Sequence, residues 1–376
     1  MKIVFLISSL GSGGAERVAS TLTNAWVARG DQVTLVPTFS GGGQPFYELD
    51  PRVEVRYLAN EIGGPVAGGG KRYLQRLLAL RRLIRQRQPD LVLSFLPNVN
   101  IAALAATAFT RIPCIVSERS DPSMQPIGRV WSLACRLLYR FADAVTVQTE
   151  AVAGRIGSIY PGLRRVAVMP NPLPAALEAQ PPRDPDQLAS ARPVLLSVGR
   201  LAPEKRTNLI IDSFARLATS HPNWDLHLVG DGPLRADLQR QIEATGLPPG
   251  RIRLLGRSAE PWTLMRQADA FVLASDYEGF PNALLEAVAL GLPAVSTDCR
   301  SGPREISDNG SVVHLVPPSD GAALQQALST LMADTARRRQ LGREGAASVR
   351  RRYSLDAVLA LWDALFAQVR RPERRA

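Results

Sequence analysis

Short runs of apolar, often β-branched residues alternate with helix-forming stretches along most of the sequence, and this alternation limits the possible folds most strongly. The first half has an early helix at Ala15–Arg29 and six such runs, at Lys2–Ser8, Gln32–Pro37, Asp90–Phe95, Pro113–Ser117, Asp143–Gln148 and Arg165–Met169. Polar residues do not occupy every second position in these runs, so both faces of each strand are predicted to be buried. Buried strands joined by helices predict parallel sheets of the α/β class.

A proline-rich segment interrupts this alternation, which then starts again. Five prolines lie between Pro172 and Arg192, and after them come a helix at Thr207–Thr219 and strands at Val194–Val198, Trp224–Val229, Arg251–Leu255, Ala270–Ala274, Ala294–Thr297 and Val312–Val316. We predict two βαβ domains, 1–172 and 193–350, joined by a linker at 173–192. Residues 351–376 contain a helix at Leu355–Val369, which is expected to pack back on the first domain.

Composition excludes several classes of protein. The chain has 376 residues, 45% of them hydrophobic, which is enough for two cores and argues against disorder. The first apolar run, Ile3–Leu10, is much shorter than the roughly 20 residues of a membrane-spanning helix, and it lacks the flanks of a secretion signal. The cysteines Cys114, Cys135 and Cys299 show no metal or disulfide spacing, so we expect reduced thiols and a cytoplasmic protein.

The net charge of +11 is concentrated in the first half of the chain. Residues 1–171 contain 20 Lys and Arg against 11 Asp and Glu. An excess of this kind predicts an anionic partner: phosphate groups, a membrane surface or nucleic acid.

Two loops at the carboxyl ends of predicted strands could bind an anion. Glycines 11, 13 and 14 surround Ser12 just before the first helix, where backbone N–H groups can approach a phosphate. A tight turn would explain these glycines equally well, because the sixth position of a dinucleotide fingerprint is taken by Glu16. In the second domain Arg200 and Lys205 precede the helix at Thr207, and two cations at a helix N-terminus favour a diphosphate over a merely solvated basic loop.

A third segment places two carboxylates around another helix start. Glu278 follows the strand at Ala270–Ala274, and Asn282 is expected to cap the next helix, with Glu286 in its first or second turn. Both carboxylates would then face one corner, with the N–H groups of Ala283 and Leu284 between them. Carboxylates accept hydrogen bonds from sugar hydroxyls, and the N–H groups can hold a phosphate.

Together these motifs resemble the retaining glycosyltransferases of family 4, which have the GT-B fold of two Rossmann-like domains facing each other across a cleft. Gly199-Arg200-Leu201 with Lys205 matches the family's GRL…K segment, and Glu278 to Glu286 matches its E-x7-E segment. Gly232 matches the VGDGP turn, and residues 13–17 (GGAER) match the N-terminal motif. Residues 117–122 and 297–303 resemble bacterial enzymes that extend lipid-linked glycans, lipopolysaccharide O-antigen or exopolysaccharide units.

The resemblance implies a role for each matching residue. Arg200 and Lys205 would neutralise the donor diphosphate, and Glu278 would hold hydroxyls of the donor sugar. The donor would also be bound by a further set: Gly13, Gly14, Arg257, Asn282, Ala283, Leu284 and Glu286, with Gly14 near the phosphates, Glu286 on the ribose and Arg257 near the base. The implied reaction moves a hexose or N-acetylhexosamine from a nucleotide sugar, UDP-linked in the resembling subfamily, to a lipid-linked glycan or saccharide acceptor.

Retention by front-face attack is expected, with a donor phosphate oxygen taking the acceptor's proton. A double displacement would need a carboxylate beneath the anomeric carbon, and Glu118 is the one candidate. Many relatives carry a histidine at a first-domain strand end, whereas His221, His227 and His314 all lie in the second domain. Glu118 stands at the matching strand end and is expected to contact a sugar or the acceptor there. No cofactor or metal is expected, since the single D-x-D, at Asp184 and Asp186, lies in the linker.

Basic helices suggest a membrane surface. Seven basic residues and no acid occur among leucines between 71 and 87: Lys71, Arg72, Arg76, Arg81, Arg82, Arg85 and Arg87. Residues 129–140 have a similar pattern. Such helices suit an anionic membrane or a lipid diphosphate, although an ordinary helix with leucines in the core fits the same pattern. We expect a peripheral protein on the inner face of the cell membrane.

Other functions fit less well. A nucleic-acid binder would share the charge but not the two glutamates, and no strand interleaves aromatic and basic residues. A nicotinamide enzyme would need the dinucleotide fingerprint, and a non-catalytic scaffold would not need paired glutamates and cations at strand ends. A sugar-nucleotide epimerase of the same fold and a GDP-mannose-dependent mannosyltransferase stay open.

Overall fold

The computed structural model describes residues 1–39, 42–62, 69–124, 127–183, 192–258 and 260–370, without the side chains of residues 69–71. The chain forms two compact units. Unit 1 comprises Met1–Pro172 and Asp356–Ala376, and unit 2 comprises Leu173–Leu355.

Unit 1 is built on a parallel sheet of seven strands. These are β1 (Lys2–Ile7), β2 (Gln32–Pro37), β3 (Glu54–Val55), β4 (Leu91–Phe95), β5 (Cys114–Ser117), β6 (Ala144–Val147) and β7 (Val166–Val168). Their order is β3-β2-β1-β4-β5-β6-β7, so the direction of winding reverses between β1 and β4. The helices are α1 (Gly14–Ala28), α2 (Gly69–Arg87), α3 (Pro97–Thr107), α4 (Arg129–Leu138) and α5 (Glu150–Ile159).

Unit 2 repeats this plan with six parallel strands. These are β8 (Val194–Val198), β9 (Asp225–Val229), β10 (Ile252–Gly256), β11 (Ala270–Leu273), β12 (Ala294–Thr297) and β13 (His314–Val316), in the order β10-β9-β8-β11-β12-β13. The helices are α6 (Ala175–Glu178), α7 (Thr207–Leu217), α8 (Arg235–Ala244), α9 (Pro261–Gln267), α10 (Asn282–Ala289), α11 (Pro303–Ile306), α12 (Gly321–Ala333) and α13 (Thr335–Tyr353). Winding reverses between β8 and β11. Ligands of such sheets bind outside the carboxyl ends of the strands at this reversal.

The predicted strands are confirmed, with ends within two residues of those observed. β4, β5 and β6 are buried along their whole length, because helices cover both faces of the sheet. The last helix, α14 (Leu355–Val369), belongs to unit 1 for most of its length. There Trp362 and Phe366 lie against Trp26 of α1, with ring centroids 6.0 and 5.5 Å away. Among the described residues no helix is both long and apolar enough to cross a membrane.

Candidate active site

The loops after β8 and β11 meet at the winding reversal of unit 2, and an ion pair joins them. Lys205 Nζ lies 2.6 Å from Glu278 Oε1, and the Ser275 hydroxyl donates to the same oxygen at 2.7 Å. The two side chains are 24% and 10% exposed. Glu278 Oε2 makes no hydrogen bond to the described residues, so it can accept one from a ligand.

Arg200 is an exposed cation on the same loop as this pair. It lines a small cavity together with Lys205 and Gly199. Within the described ranges its side chain makes no hydrogen bond or ion pair. The neighbouring Arg206 is held by Asp276, with Nε 2.6 Å from Oδ2. The loop therefore keeps two of its cations in ion pairs and presents the third to solvent.

Helix α10 begins one residue earlier than expected. Pro281 is the N-cap residue and Asn282 is already helical, so the predicted capping role of Asn282 is wrong. Proline's fixed φ suits the extended residue before a helix. Leu285 N donates to Pro281 O at 3.1 Å. The N–H groups of Ala283 and Leu284 therefore precede the first intrahelical bond and can meet an anion.

Glu286 lies in the second turn of α10, within the predicted first or second turn, and the residue is nearly buried. The residue is 2% exposed, and the indole N–H of Trp262 donates to Oε2 at 2.9 Å. Trp262 lies in the first turn of α9 and was not predicted as part of the site. The sequence gives no signal for it beyond a tryptophan following Pro261.

Close backbone packing explains the VGDGP turn, residues 229–233, which follows β9. Added Cβ atoms at Gly230 and Gly232 would lie 1.8 Å from Gly199 O and 2.3 Å from Leu201 O. Only glycines let this turn lie directly against the GRL segment that carries Arg200. Arg257 lies at the same edge with its side chain 74% exposed, and its Nε is 3.9 Å from Asp231 Oδ2.

In unit 1, the glycine-rich loop follows β1. Gly13 is the N-cap residue of α1, and Gly14 is its first residue. The Ser9 hydroxyl donates to Glu16 Oε1 at 3.0 Å, and a Cβ on Gly13 would lie 2.2 Å from Glu16 Oε2. The local turn thus accounts for Gly13, and contact of Gly13 and Gly14 with donor phosphates stays a prediction.

Glu118 follows β5 and is 1% exposed. The Tyr139 hydroxyl donates to its Oε1, and Asn100 Nδ2 donates to the Tyr139 oxygen at 2.9 Å. Burial raises the pKa of Glu118 to about 7, although the Tyr139 bond acts in the opposite direction. Sequence reasoning found Glu118 but missed Tyr139 and Asn100, which come from other elements of the unit.

The basic helix α2 has some of its leucines in the core and others at the surface, so it has features of both an ordinary packed helix and a membrane-facing helix. Leu80, Leu83 and Ile84 are buried in the core, while Leu74 and Leu78 are more than half exposed. Arg72, Arg82 and Arg85 are exposed, Arg76 lies over the Phe39 ring, and Arg81 is half-buried. The Lys71 side chain lies outside the described residues.

The described part of the chain contains no group of three or more His, Cys, Asp or Glu side chains that could hold a metal ion. Asp184 and Asp186 lie outside the described residues. His221 lies 3.1 Å from the Ser329 hydroxyl, and burial lowers the pKa of His221, His227 and His314.

Family models match both halves of the chain. Residues 13–172 match the one described as a glycosyl transferase 4-like domain, and residues 182–348 match the one described as glycosyl transferases group 1. The chain belongs to this family of glycosyltransferases. Alr3699/HepE of Anabaena, solved in complex with UDP, is a structural neighbour with a TM-score of 0.79 and 22% identity, covering 98% of this chain and 100% of the other. This likeness confirms the predicted GT-B class with two Rossmann-like units.

Two relatives are similar over most of this glycosyltransferase chain. A Campylobacter jejuni protein named GalNAc-alpha-(1->4)-GalNAc-alpha-(1->3)-diNAcBac-PP-undecaprenol alpha-1,4-N-acetyl-D-galactosaminyltransferase is 28% identical over 91% of both chains. The exopolysaccharide phosphotransferase SCO2592 of Streptomyces coelicolor is 30% identical over 98% of this chain. Since the chain spans only 41% of the Streptomyces protein, that protein's named activity is not transferred to it.

Proposed function

We propose that this glycosyltransferase moves a hexose or N-acetylhexosamine from a UDP-sugar to a lipid-linked or polysaccharide acceptor of the bacterial cell surface. The observation that carries the proposal is the corner formed by Arg200, the Lys205–Glu278 pair and the start of α10, at the winding reversal of unit 2. The family supports the reaction type. The Campylobacter relative's name, with its undecaprenol diphosphate acceptor, supports the acceptor class.

The residues of the corner fit a departing diphosphate. As the glycosidic bond breaks, negative charge builds on the diphosphate, and fixed cations and helix N–H groups stabilise that charge more than the ground state. Among the described residues no carboxylate pairs with Arg200, and α10 begins a few residues after Glu278, which is paired with Lys205 of the Arg200 loop. Each such donor contributes about 2.7–4 kcal/mol to lowering a barrier of this kind.

In this proposal Glu278 and Glu286 bind different parts of the donor. Glu278 Oε1 is occupied by Lys205 and Ser275, so Oε2 accepts a hydroxyl of the donor sugar. Glu286, oriented by Trp262, binds the ribose. Retention follows from front-face attack, in which a phosphate oxygen of the donor takes the acceptor's proton, and no metal is needed because protein cations carry the charge.

Ligand-induced stabilisation tests the donor. At 100 times its dissociation constant, a nucleotide that binds only the folded protein adds about 2.7 kcal/mol to stability. UDP should therefore raise the melting temperature while GDP and ADP do not. A rise in melting temperature with GDP alone would mean that the donor is a GDP-linked sugar. No rise with any of the three nucleotides would refute the proposal. Conversion of a UDP-sugar to its epimer without acceptor would favour an epimerase.

We also propose peripheral binding to the inner face of the cell membrane through unit 1. One face of α4 and the turn after it exposes Val130, Leu133, Leu137 and Phe141 at helical spacing. Arg129, Arg136 and Arg140 flank this stripe and are also exposed. An apolar stripe with basic edges matches an anionic bilayer surface. The rings of Tyr73 and Trp131, 5.9 Å apart, bring α2 against α4.

Vesicle flotation tests this binding. The protein should float with anionic but not with neutral vesicles, and Leu133→Asp together with Leu137→Asp should abolish flotation. Leu361→Asp is the matched control, because Leu361 is similarly exposed on α14. Equal flotation with both vesicle types, or an unaffected double variant, would refute the membrane surface.

A further inference from the structure

Arg206 has an unusual backbone conformation for an arginine. It ends the short helical turn Pro203–Lys205 and is the N-cap residue of α7, with φ 49° and ψ 36°. These angles lie in the left-handed region, which glycine enters freely and other residues enter only against steric strain. A glycine would therefore fit the turn better, so the arginine side chain must supply something that a glycine lacks.

The Arg206 side chain joins three loops at the carboxyl edge of the unit 2 sheet. Its Nε donates to Asp276 Oδ2 at 2.6 Å, in the loop after β11. Its Nη2 donates to Ser319 Oγ at 3.0 Å, in the turn after β13. The Ser319 hydroxyl donates in turn to Asp276 Oδ1 at 2.8 Å, which closes a ring of hydrogen bonds. We call the ring of Arg206, Asp276 and Ser319 the outer clamp.

Stability alone does not explain the outer clamp. Ser319 also has a left-handed backbone, with φ 59°, so the clamp joins two strained residues. The side chains of Arg206 and Asp276 are 41% and 30% exposed, and ion pairs as open to solvent as this one add little to stability. Strained residues that are held firmly by their surroundings cluster at functional sites. A functional reason for this clamp should therefore lie close to it.

The outer clamp lies beside the ion pair of the candidate donor site. Lys205 directly precedes Arg206, and Glu278 follows Asp276 by two residues, so two ion pairs join the same two loops. Asp276 N also donates to Glu204 O at 2.9 Å. The Lys205–Glu278 pair is the less exposed of the two. The clamp thus supports the functional pair from the solvent side.

We propose that Arg206 is a positioning residue for the donor, which holds Lys205 and Glu278 at the spacing that a nucleotide sugar requires. Lys205 and Thr207, on either side of Arg206, line the small cavity beside Arg200. A change in the Arg206 backbone would therefore move two residues of the cavity wall. The inference rests on the proposed function in taking a nucleotide sugar as the ligand.

Calorimetric titration with UDP tests the clamp in three variants. Arg206→Gly and Ser319→Gly retain the left-handed backbone and lose only a side chain, and Asp276→Ala removes the shared acceptor. Each variant should bind UDP about 3- to 30-fold more weakly, the usual range for residues that act on a site through others. The melting temperature of free Arg206→Gly should not fall, because glycine relieves the strain. A lower melting temperature with unchanged UDP affinity would show a merely structural role.

The direction of the Asp276→Ala effect separates positioning from electrostatics. UDP is an anion, so removal of a nearby carboxylate by itself should tighten UDP binding, and an arginine that touched the diphosphate directly would be released to bind it better. The clamp predicts weaker binding instead. Arg206→Gly combined with Asp276→Ala should bind UDP about as weakly as either single variant, because all three lose the same clamp. Tighter or unchanged UDP binding by Asp276→Ala would refute the proposal.

Asn309→Gly is the matched control. Asn309 is an exposed residue of unit 2 with φ 58°, so this variant relieves the same kind of backbone strain away from the clamp. Its UDP affinity should equal that of the wild type, and a loss as large as that of Arg206→Gly would refute the assignment.

Urea unfolding without nucleotide tests the clamp independently of the donor. Lys205→Met should lower the free energy of unfolding less in the Arg206→Gly background than in the wild type, because the Lys205–Glu278 pair is already loosened there. Equal losses in the two backgrounds would refute the clamp. Failure of the wild-type protein to bind UDP would refute the proposed donor, and the unfolding comparison would still decide whether Arg206 positions Lys205.

Discussion

Replacing Glu118 by glutamine should change how the stability of the protein depends on pH. Burial raises the pKa of Glu118 from 4.5 to about 7, so the folded state holds this proton where the unfolded state releases it. The contribution of Glu118 to stability is therefore fully present below about pH 4.5 and is lost as the pH rises through about 7. Each pKa unit corresponds to about 1.4 kcal/mol, which gives about 2 kcal/mol lost between roughly pH 5.5 and pH 8.

Calorimetric melting of the wild type and Glu118→Gln at these two pH values measures the effect. For a domain of this size a loss of about 2 kcal/mol lowers the melting temperature by roughly 4–8 °C. The wild type should lose this much relative to the variant on going to the higher pH, because glutamine does not titrate. Unit 1 contains no histidine that would titrate in the same range. Parallel pH profiles would show that Glu118 ionises normally and would refute its place in the buried network.

Two further perturbations examine unit 2. Lys205→Met removes the cation that pairs with the Glu278 carboxylate and should lower the free energy of unfolding by about 2 kcal/mol. Breaking a fully buried ion pair costs ~3–5 kcal/mol, and the loss here should be smaller because Lys205 is 24% exposed. Adding Glu278→Gln should recover most of the loss in urea unfolding, and a purely additive double variant would contradict the pairing. Gly230→Ala should lower the free energy of unfolding by about 3 kcal/mol or more, because its Cβ would lie 1.8 Å from Gly199 O. Gly246 also has a positive φ but open space around it, so Gly246→Ala should lower the free energy of unfolding by only about 1 kcal/mol. Equal melting temperatures for the two alanine variants would contradict the close approach.

The sequence predicted the strands well because their signal is local. Runs such as Val194–Val198 and Ala294–Thr297 were found with their observed bounds, since their composition alone indicates strands buried on both faces. β3 was missed because it has two residues, and pairing with β2 holds it in the sheet. No local pattern could mark a strand so short.

The candidate site was predicted in part. The resemblance assigned Arg200, Lys205 and Glu278 to one donor, and in the structure Lys205 and Glu278 pair where the loops after β8 and β11 meet. The partners of the buried carboxylates could not be predicted, because Trp262 and Glu286 lie on different helices, and Tyr139 reaches Glu118 from 21 residues away. The N-cap of α10 was predicted one residue too late. Asparagine is a common N-cap residue, but the structure has Pro281 as the N-cap and Asn282 as the first helical residue.

Isothermal titration with UDP tests the central claim most directly. The Arg200 side chain makes no hydrogen bond or ion pair with the described residues, so Arg200→Ala should leave the melting temperature of the free protein unchanged. If the arginine holds the diphosphate, the variant should bind UDP about 10- to 150-fold more weakly than the wild type, as expected for one charge-assisted hydrogen bond. Arg216→Ala, which removes an exposed charge at the far end of α7, should bind UDP like the wild type. Equal UDP affinity for Arg200→Ala and the wild type would contradict the account.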